Sequence, residues 1–186
     1  AASTALIITI GASVAGALLT KPPSFGDYTS QQERKQVLRS STAPQAHIYG
    51  RTVTSGLLFF AEEEKGSSTK EWVHLAIALC GHPIDGVEEI WLGDEPIRNY
   101  GSNATYEIHS DRQTADPFML ANCTSWKDDM IGKGITWARI SLKFDADKFP
   151  AGIPNIKFLV RGKRVLDPRN NTVAWTDNAA LCIRDY

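Results

Sequence analysis

Hydrophobic and polar positions divide the chain at Lys21. Residues 1–20 carry no charge, and 13 of the 20 are Ala, Val, Ile or Leu. Helical winding sets Leu6, Ile10, Val14 and Leu18 on one stripe, with the small pairs Gly11/Ala15 and Ala12/Gly16 beside it. The Lys21-Pro22-Pro23 step then ends any helix, since proline cannot continue one. The segment reads as an apolar arm over residues 1–21 whose Leu6, Ile10, Gly11, Val14, Gly16 and Leu18 serve subunit packing. It is long enough to cross ~30 Å of hydrocarbon only if nearly all of it is used.

Beyond a linker over residues 22–34, the periodicity shortens to that of strands. Val37-Leu38-Arg39 and the run His47 to Thr54 flank a Ser/Thr/Pro loop at residues 40–44. Ser55 to Ala61 continues the second run, with Gly56 marking a bulge or bend. Residues 62–71 are polar throughout and predict a solvated hairpin loop, the triple Glu being an edge rather than a metal site. Trp72 to Cys80 is apolar on both faces, which predicts a central, doubly covered strand in which His74 is a hydrogen-bonded core histidine.

Residues 81–86 predict a turn, and Val87–Leu92 with Pro96-Ile97 a tight hairpin about residues 93–95. Residues 99–134 are the least regular: apart from a short helix N-capped by Asp116 with Pro117 in its first turn, they predict loops over the sheet. Ile135 to Asp145 alternates Ala138, Ile140, Leu142 and Phe144 against Arg139, Ser141 and Lys143, the pattern of a half-buried strand. Asn155 to Asp167 predicts a hairpin turning at Gly162-Lys163, followed by a turn over residues 168–171. Thr176 to Asn178 offer capping side chains to a last helix that begins at Ala179, and so short a helix predicts that the polypeptide continues beyond Tyr186. The expected fold is mainly β, a strand-rich domain over residues 35–186 with antiparallel hairpins, short helices and an apolar arm.

Charge sharpens this division without naming a partner. The whole chain has 20 Lys and Arg against 21 Asp and Glu in 186 residues, and all of them follow residue 20. The body thus has the charge share of an ordinary soluble domain, with no basic stripe for specific nucleic-acid binding. Cys80, Cys123 and Cys182 are widely spaced, as are His47, His74, His82 and His109, which argues for free thiols and against zinc. No nucleophile elbow, phosphate loop or metalloprotease helix is present, so neither catalysis, a metal nor another cofactor is expected. Three weaker features remain: Asp128-Asp129 with Asp111 and Asp116 as a cation cluster, Arg161 to Arg164 as a phosphate contact, and three Asn-x-Thr sequons at Asn103, Asn122 and Asn170. The first two read better as solvated surface, and the sequons are short patterns that carry little weight. The five Trp residues read as sheet-packing anchors.

Taken together, several segments carry a resemblance. Residues 35–44, Ile48 to Phe60, Gly81-His-Pro-Ile-Asp-Gly86, Trp91-Leu-Gly-Asp94, Phe149 to Asn155, Arg161 to Pro168 and Thr176 to Leu181 resemble the N-terminal hub region of phage tail-tip proteins of the lambda J type. The resemblance spans residues 24–186. It implies a homotrimeric hub of a virion, closing the distal end of the tail tube, supporting host attachment and genome delivery, and meeting a distal tail protein and a tape measure protein. It implies receptor-binding residues outside this sequence, and the arm's lack of charge together with a length that only just spans leads to the hypothesis that the arm is sealed inside the particle and meets the host membrane only after the tip opens. A different class of reading takes residues 1–20 as a true span anchoring an extracytoplasmic binding domain. A hydrolase working through Asp128 or Asp129 has no partner base or nucleophile in the sequence.

Overall fold

A computed structural model describes residues 45–66, 71–145, 149 and 152–186. The arm with its six packing positions, the linker and the strand expected near Val37 lie outside the described residues. The elements follow in order: β1 (Arg51–Thr54), β2 (Leu57–Glu63), β3 (Trp72–Cys80), β4 (Gly86–Leu92), β5 (Glu95–Pro96), a 3-10 helix over Ile97–Asn103, β6 (Ala104–Ser110), α1 (Pro117–Asn122), β7 (Thr136–Lys143), β8 (Ile156–Arg161), β9 (Arg164–Asp167), β10 (Thr172–Trp175) and α2 (Ala179–Asp185). Among the described residues all strand pairs are antiparallel, in three sheets ordered β1-β8-β4-β5, β2-β3-β7-β6 and β10-β9. The fold is mainly β, as the alternation predicts.

The first two sheets face each other across one core. Val73, Leu75, Ile77 and Leu79 of β3 with Ala138, Ile140 and Leu142 of β7 meet Ile90 and Leu92 of β4 and Ile156, Phe158 and Val160 of β8. The chain changes sheets between β1 and β2, where Gly56 holds φ +66° and a Cβ would stand 2.6 Å from the Ala78 carbonyl oxygen. It changes again between β3 and β4, across the expected turn at residues 81–86. There His82 fixes the crossing, its Nε2 accepting from Ile48 N–H at 2.9 Å while Nδ1 donates to the Pro83 carbonyl at 2.8 Å.

Three expectations fail for identifiable reasons. Residues 104–110 are not loop but strand β6, an edge strand whose Ala104, Tyr106 and Ile108 pair opposite Leu142, Ile140 and Ala138. Glu107 and His109 on its other face disguise the period. Strand β7 is not half-buried: Trp137 and Ser141 on its supposed polar face are 0% and 1% exposed, because α1 and the loop after it form a further layer there. Gly162-Lys163 is not a hairpin turn, since β8 pairs with β1 and β4 while β9 pairs with β10. Instead Gly162 N–H donates to the Gly50 carbonyl and Lys163 N–H to that of Ile48, extending the contact with the incoming chain. A Cβ on Gly162 would collide with the Ile48 carbonyl, whose carbon would lie at 2.6 Å.

Candidate functional site

The densest polar constellation lies where the α1 layer meets the second sheet. Alternation along β6 puts Glu107 and His109 on the face away from the core, and β7 puts Arg139 there, directly opposite Glu107. Asp116 begins α1, its Oδ1 accepting from Phe118 N–H at 2.8 Å in the N-cap role the sequence predicts. Its other oxygen meets His109 Nε2 at 2.9 Å, and Arg139 Nη1 lies 3.6 Å away. Arg139 Nη2 also donates to Glu107 Oε2 at 2.5 Å, and Arg112 Nη1 lies 3.0 Å from His109 Nδ1. With Nδ1 facing a guanidinium donor, the proton of His109 sits on Nε2 and points at Asp116.

This network is both buried and charged. Burial would raise the Asp116 carboxyl, but the His109 hydrogen bond, the Arg139 guanidinium and the Phe118 N–H together hold it below its ordinary value. Arg139 also covers the Phe118 ring, its guanidinium carbon 3.9 Å from the centroid. Around it pack Trp137, with its indole 4.3 Å from the His109 ring, and Trp126, 5.6 Å from Trp137. The indoles of Trp126 and Trp137 thus anchor the layer, as expected of sheet-packing tryptophans.

Glu107, His109 and Asp116 each bring one ligand atom within 4.8 Å of the others. A cation there would displace Arg139 from both carboxylates and remove the His109 proton. The residues therefore fit an ionic clamp better than a metal ligand set. His74, also buried, meets Ser141 Oγ at 2.9 Å through Nδ1. Burial and then the nearby Arg139 lower its pKa, so it stays neutral, the core histidine the sequence implies. The clamp itself is absent from the sequence reading, although a His seven residues before a capping Asp is its visible trace.

The other sequence-derived candidates are dispersed. Asp128 and Asp129 are exposed, whereas Asp111 uses Oδ1 to accept from Gly134 N–H and Asp116 is buried in the clamp. The basic bend is neutralised: Arg161 pairs with Asp85 at 2.6 Å, Arg164 with the same Asp85 at 3.5 Å, and Lys163 with Asp185 at 2.6 Å. Asn103 donates to the distant Asp145, Asn122 donates to the Phe118 carbonyl, and Asn170 accepts from Thr172. Glu62, of the triple Glu, accepts from Thr124 and Ser125 N–H at 2.9 Å each and ties β2 to the loop after α1. Cys80 and Cys123 are buried and Cys182 half-buried, all free thiols as expected.

A second feature concerns strand edges. Among the described residues no strand pairs with the outer side of β1, β2 or β6. Each carries an exposed large apolar side chain: Val53 on β1 at 54%, Phe59 on β2 at 44% and Tyr106 on β6 at 52%. No described helix is long and apolar enough to cross a membrane.

No protein-family model and no curated protein matches the chain. Among solved structures it is similar to a chain of the virion of a native gene transfer agent particle, with 18% identity and a TM-score of 0.47. The match covers 85% of this chain and 38% of that one, so this chain spans well under half the length of its neighbour. Values of this size carry no argument about function.

Proposed function

We propose that this chain is a structural protein of a phage particle, and within it the hub of a tail tip: a non-enzymatic homotrimer that closes the distal end of the tail tube and meets neighbouring tail proteins. The observation that carries this reading is the state of the sheet edges. Monomeric β proteins blunt free edges with charge, proline or bulges, because an open apolar edge recruits other chains. Here β5 is blunted by Pro96, whereas β1 and β6, despite Arg51 and Glu107, leave Val53 and Tyr106 54% and 52% exposed, and β2 leaves Phe59 44% exposed at a bulge. A closed oligomer that buries these edges against symmetry mates or neighbours removes that liability.

The segments that resemble the tail-tip family support the same reading by their positions. Residues 81–86 form the crossing between sheets, Trp91 to Asp94 lead through the β4–β5 turn, and Arg161 to Pro168 make the bend held against Ile48 and Gly50. The clamp of Asp116, His109 and Arg139 serves rigidity in this reading, since the charged groups pair with one another and with Glu107.

Native mass measurement tests the proposal. A species at three times 20.5 kDa is expected, with Val53→Lys, Phe59→Lys and Tyr106→Lys shifting it toward single chains while far-UV circular dichroism is unchanged. A wild-type monomer at micromolar concentration would refute the trimer. Sedimentation with membranes would favour the anchored-domain reading of residues 1–20 instead.

A further inference from the structure

The incoming chain, residues 45–50, is fastened to the domain along both of its sides. On one side Gly81 N–H donates to the Ala46 carbonyl at 3.0 Å and Ile48 N–H donates to His82 Nε2 at 2.9 Å. On the other, Lys163 N–H donates to the Ile48 carbonyl at 2.8 Å. A Cβ on Gly81 would collide with the Gln45 side chain, so the first side is close-packed as well. The His82 bond differs from the rest in depending on a titratable ring. Nδ1 lies 2.8 Å from the Pro83 carbonyl, which can only accept, and Nε2 faces a backbone N–H, which can only donate. These partners demand the neutral ring with its proton on Nδ1, in a side chain only 7% exposed.

We propose that His82 is a proton-operated latch: a proton on Nε2 frees residues 46–48 from the crossing at residues 81–83 while the two facing sheets stay formed. The proton takes up the Nε2 lone pair, so two donors then face each other and the bond to Ile48 is lost. The ring is kept from turning by its bond to Pro83 and by the His47 and Tyr49 rings, with centroids 5.4 and 6.2 Å away, so the incoming chain yields instead. The groups around the ring do not offset its charge. His47 of the incoming chain is itself a histidine, Cys80 of β3, 3.9 Å from Nδ1, is a thiol whose pKa burial raises, and Thr136 of β7 donates its hydroxyl to the His82 carbonyl. Beyond Tyr49, Lys163 and Asp185 pair with each other at 2.6 Å. Histidine changes charge between about pH 8 and 5, so the latch is closed at the upper end and opens as pH falls.

The latch goes beyond the tail-tip reading and does not need it, since a monomeric chain would carry it equally. The test uses the full chain. Nitrogen-15 spectra of the imidazoles are expected to show His82 with its proton on Nδ1 alone at about pH 8 and with both nitrogens protonated at about pH 5. Over the same range the amide-exchange protection factor of Ile48 is expected to fall about tenfold, the loss of one buried hydrogen bond, while Leu75 and Ile140 keep theirs. His82→Gln, whose side-chain oxygen accepts from Ile48 N–H without titrating, should remove the step, and His47→Gln, at an exposed position, should leave it in place. Five results each overturn the proposal: a neutral-ring proton on Nε2, a ring still neutral at the acid end, constant Ile48 protection, a parallel fall at Leu75 and Ile140, or a step that survives His82→Gln or vanishes in His47→Gln. The spectra need no variant, so a His82→Gln chain that fails to fold leaves the test standing.

Discussion

Replacing Asp116 with Ala tests the ionic clamp. The carboxylate is 1% exposed and serves three groups: the Phe118 N–H, His109 Nε2–H and the Arg139 guanidinium. Loss of the helix cap alone costs about 1 kcal/mol. A buried His109 N–H left without an acceptor costs a further ~1–3 kcal/mol. Arg139 keeps Glu107, which limits its share, so the total is about 2–4 kcal/mol, overlapping the ~3–5 kcal/mol typical of a broken buried pair. Asp116→Asn keeps an oxygen for Phe118 N–H and should cost roughly half as much, whereas the exposed Asp128→Ala and Asp129→Ala should stay within ~0.5 kcal/mol. Urea unfolding followed by tryptophan fluorescence measures all four, since Trp126 and Trp137 border the clamp. pH adds a sign. Because the folded Asp116 carboxyl titrates below 3.8, its electrostatic contribution is complete above that value and fades as pH falls through the lower folded value. The gap between wild type and Asp116→Asn should therefore be widest near neutrality and shrink below pH 3.8. A cost for Asp116→Ala under about 1 kcal/mol, or a wild type to Asp116→Asn gap unchanged at acid pH, would refute the clamp.

Other outcomes follow from the packing. Gly162→Ala drives a methyl into the Ile48 carbonyl and should destabilise by ~1–3 kcal/mol in thermal or urea melts. Gly134→Ala, with open space but φ +74°, should cost less, about 1 kcal/mol. Asp185 accepts from Lys163 and Tyr49 and is held below its ordinary pKa first by the Lys163 hydrogen bond. Asp185→Asn should speed hydrogen exchange across residues 182–186 while leaving the main melt in place. Burial, with Glu62 and Asp116 nearby, pushes the Cys123 thiol up to about 12, and burial also raises Cys80. A thiol reagent should therefore modify Cys182 in the native chain and the other two only on unfolding.

What the sequence reveals depends on whether a residue's neighbours are near in the chain. Strand β3 is legible because both its faces are apolar over nine residues, and α1 because Asp116 and Pro117 are local helix-start signals. Strand β6 is hidden because the partners that make Glu107 and His109 tolerable, Arg139 and Asp116, arrive later in the chain. The apparent polarity of β7 fails likewise, since a layer drawn from residues 117–135 covers it. Gly162-Lys163 has the composition of a hairpin turn, and only the distant backbone of Ile48 and Gly50 makes it a bend. Among the candidate sites, the solvated reading of Asp128 and Asp129 needs only local context, whereas the clamp requires three elements at once.

The position of β8 sets the order in which the two facing sheets form. All strands of the β2-β3-β7-β6 sheet lie within residues 57–143, so that sheet has its full complement before residue 156 is made. The other sheet has β8 at its interior, between β1 and β4, with Arg161 paired to both Arg51 and Gly86. Strands β1 and β4 must therefore wait, more than a hundred residues for β1, for the strand that joins them. Pairing over such separations is slow, because the loop must close before any contact rewards it. A chain halted before residue 156 would therefore hold all four strands of one sheet but lack the strand that completes the sheet facing it, the stage at which wrong association competes with folding.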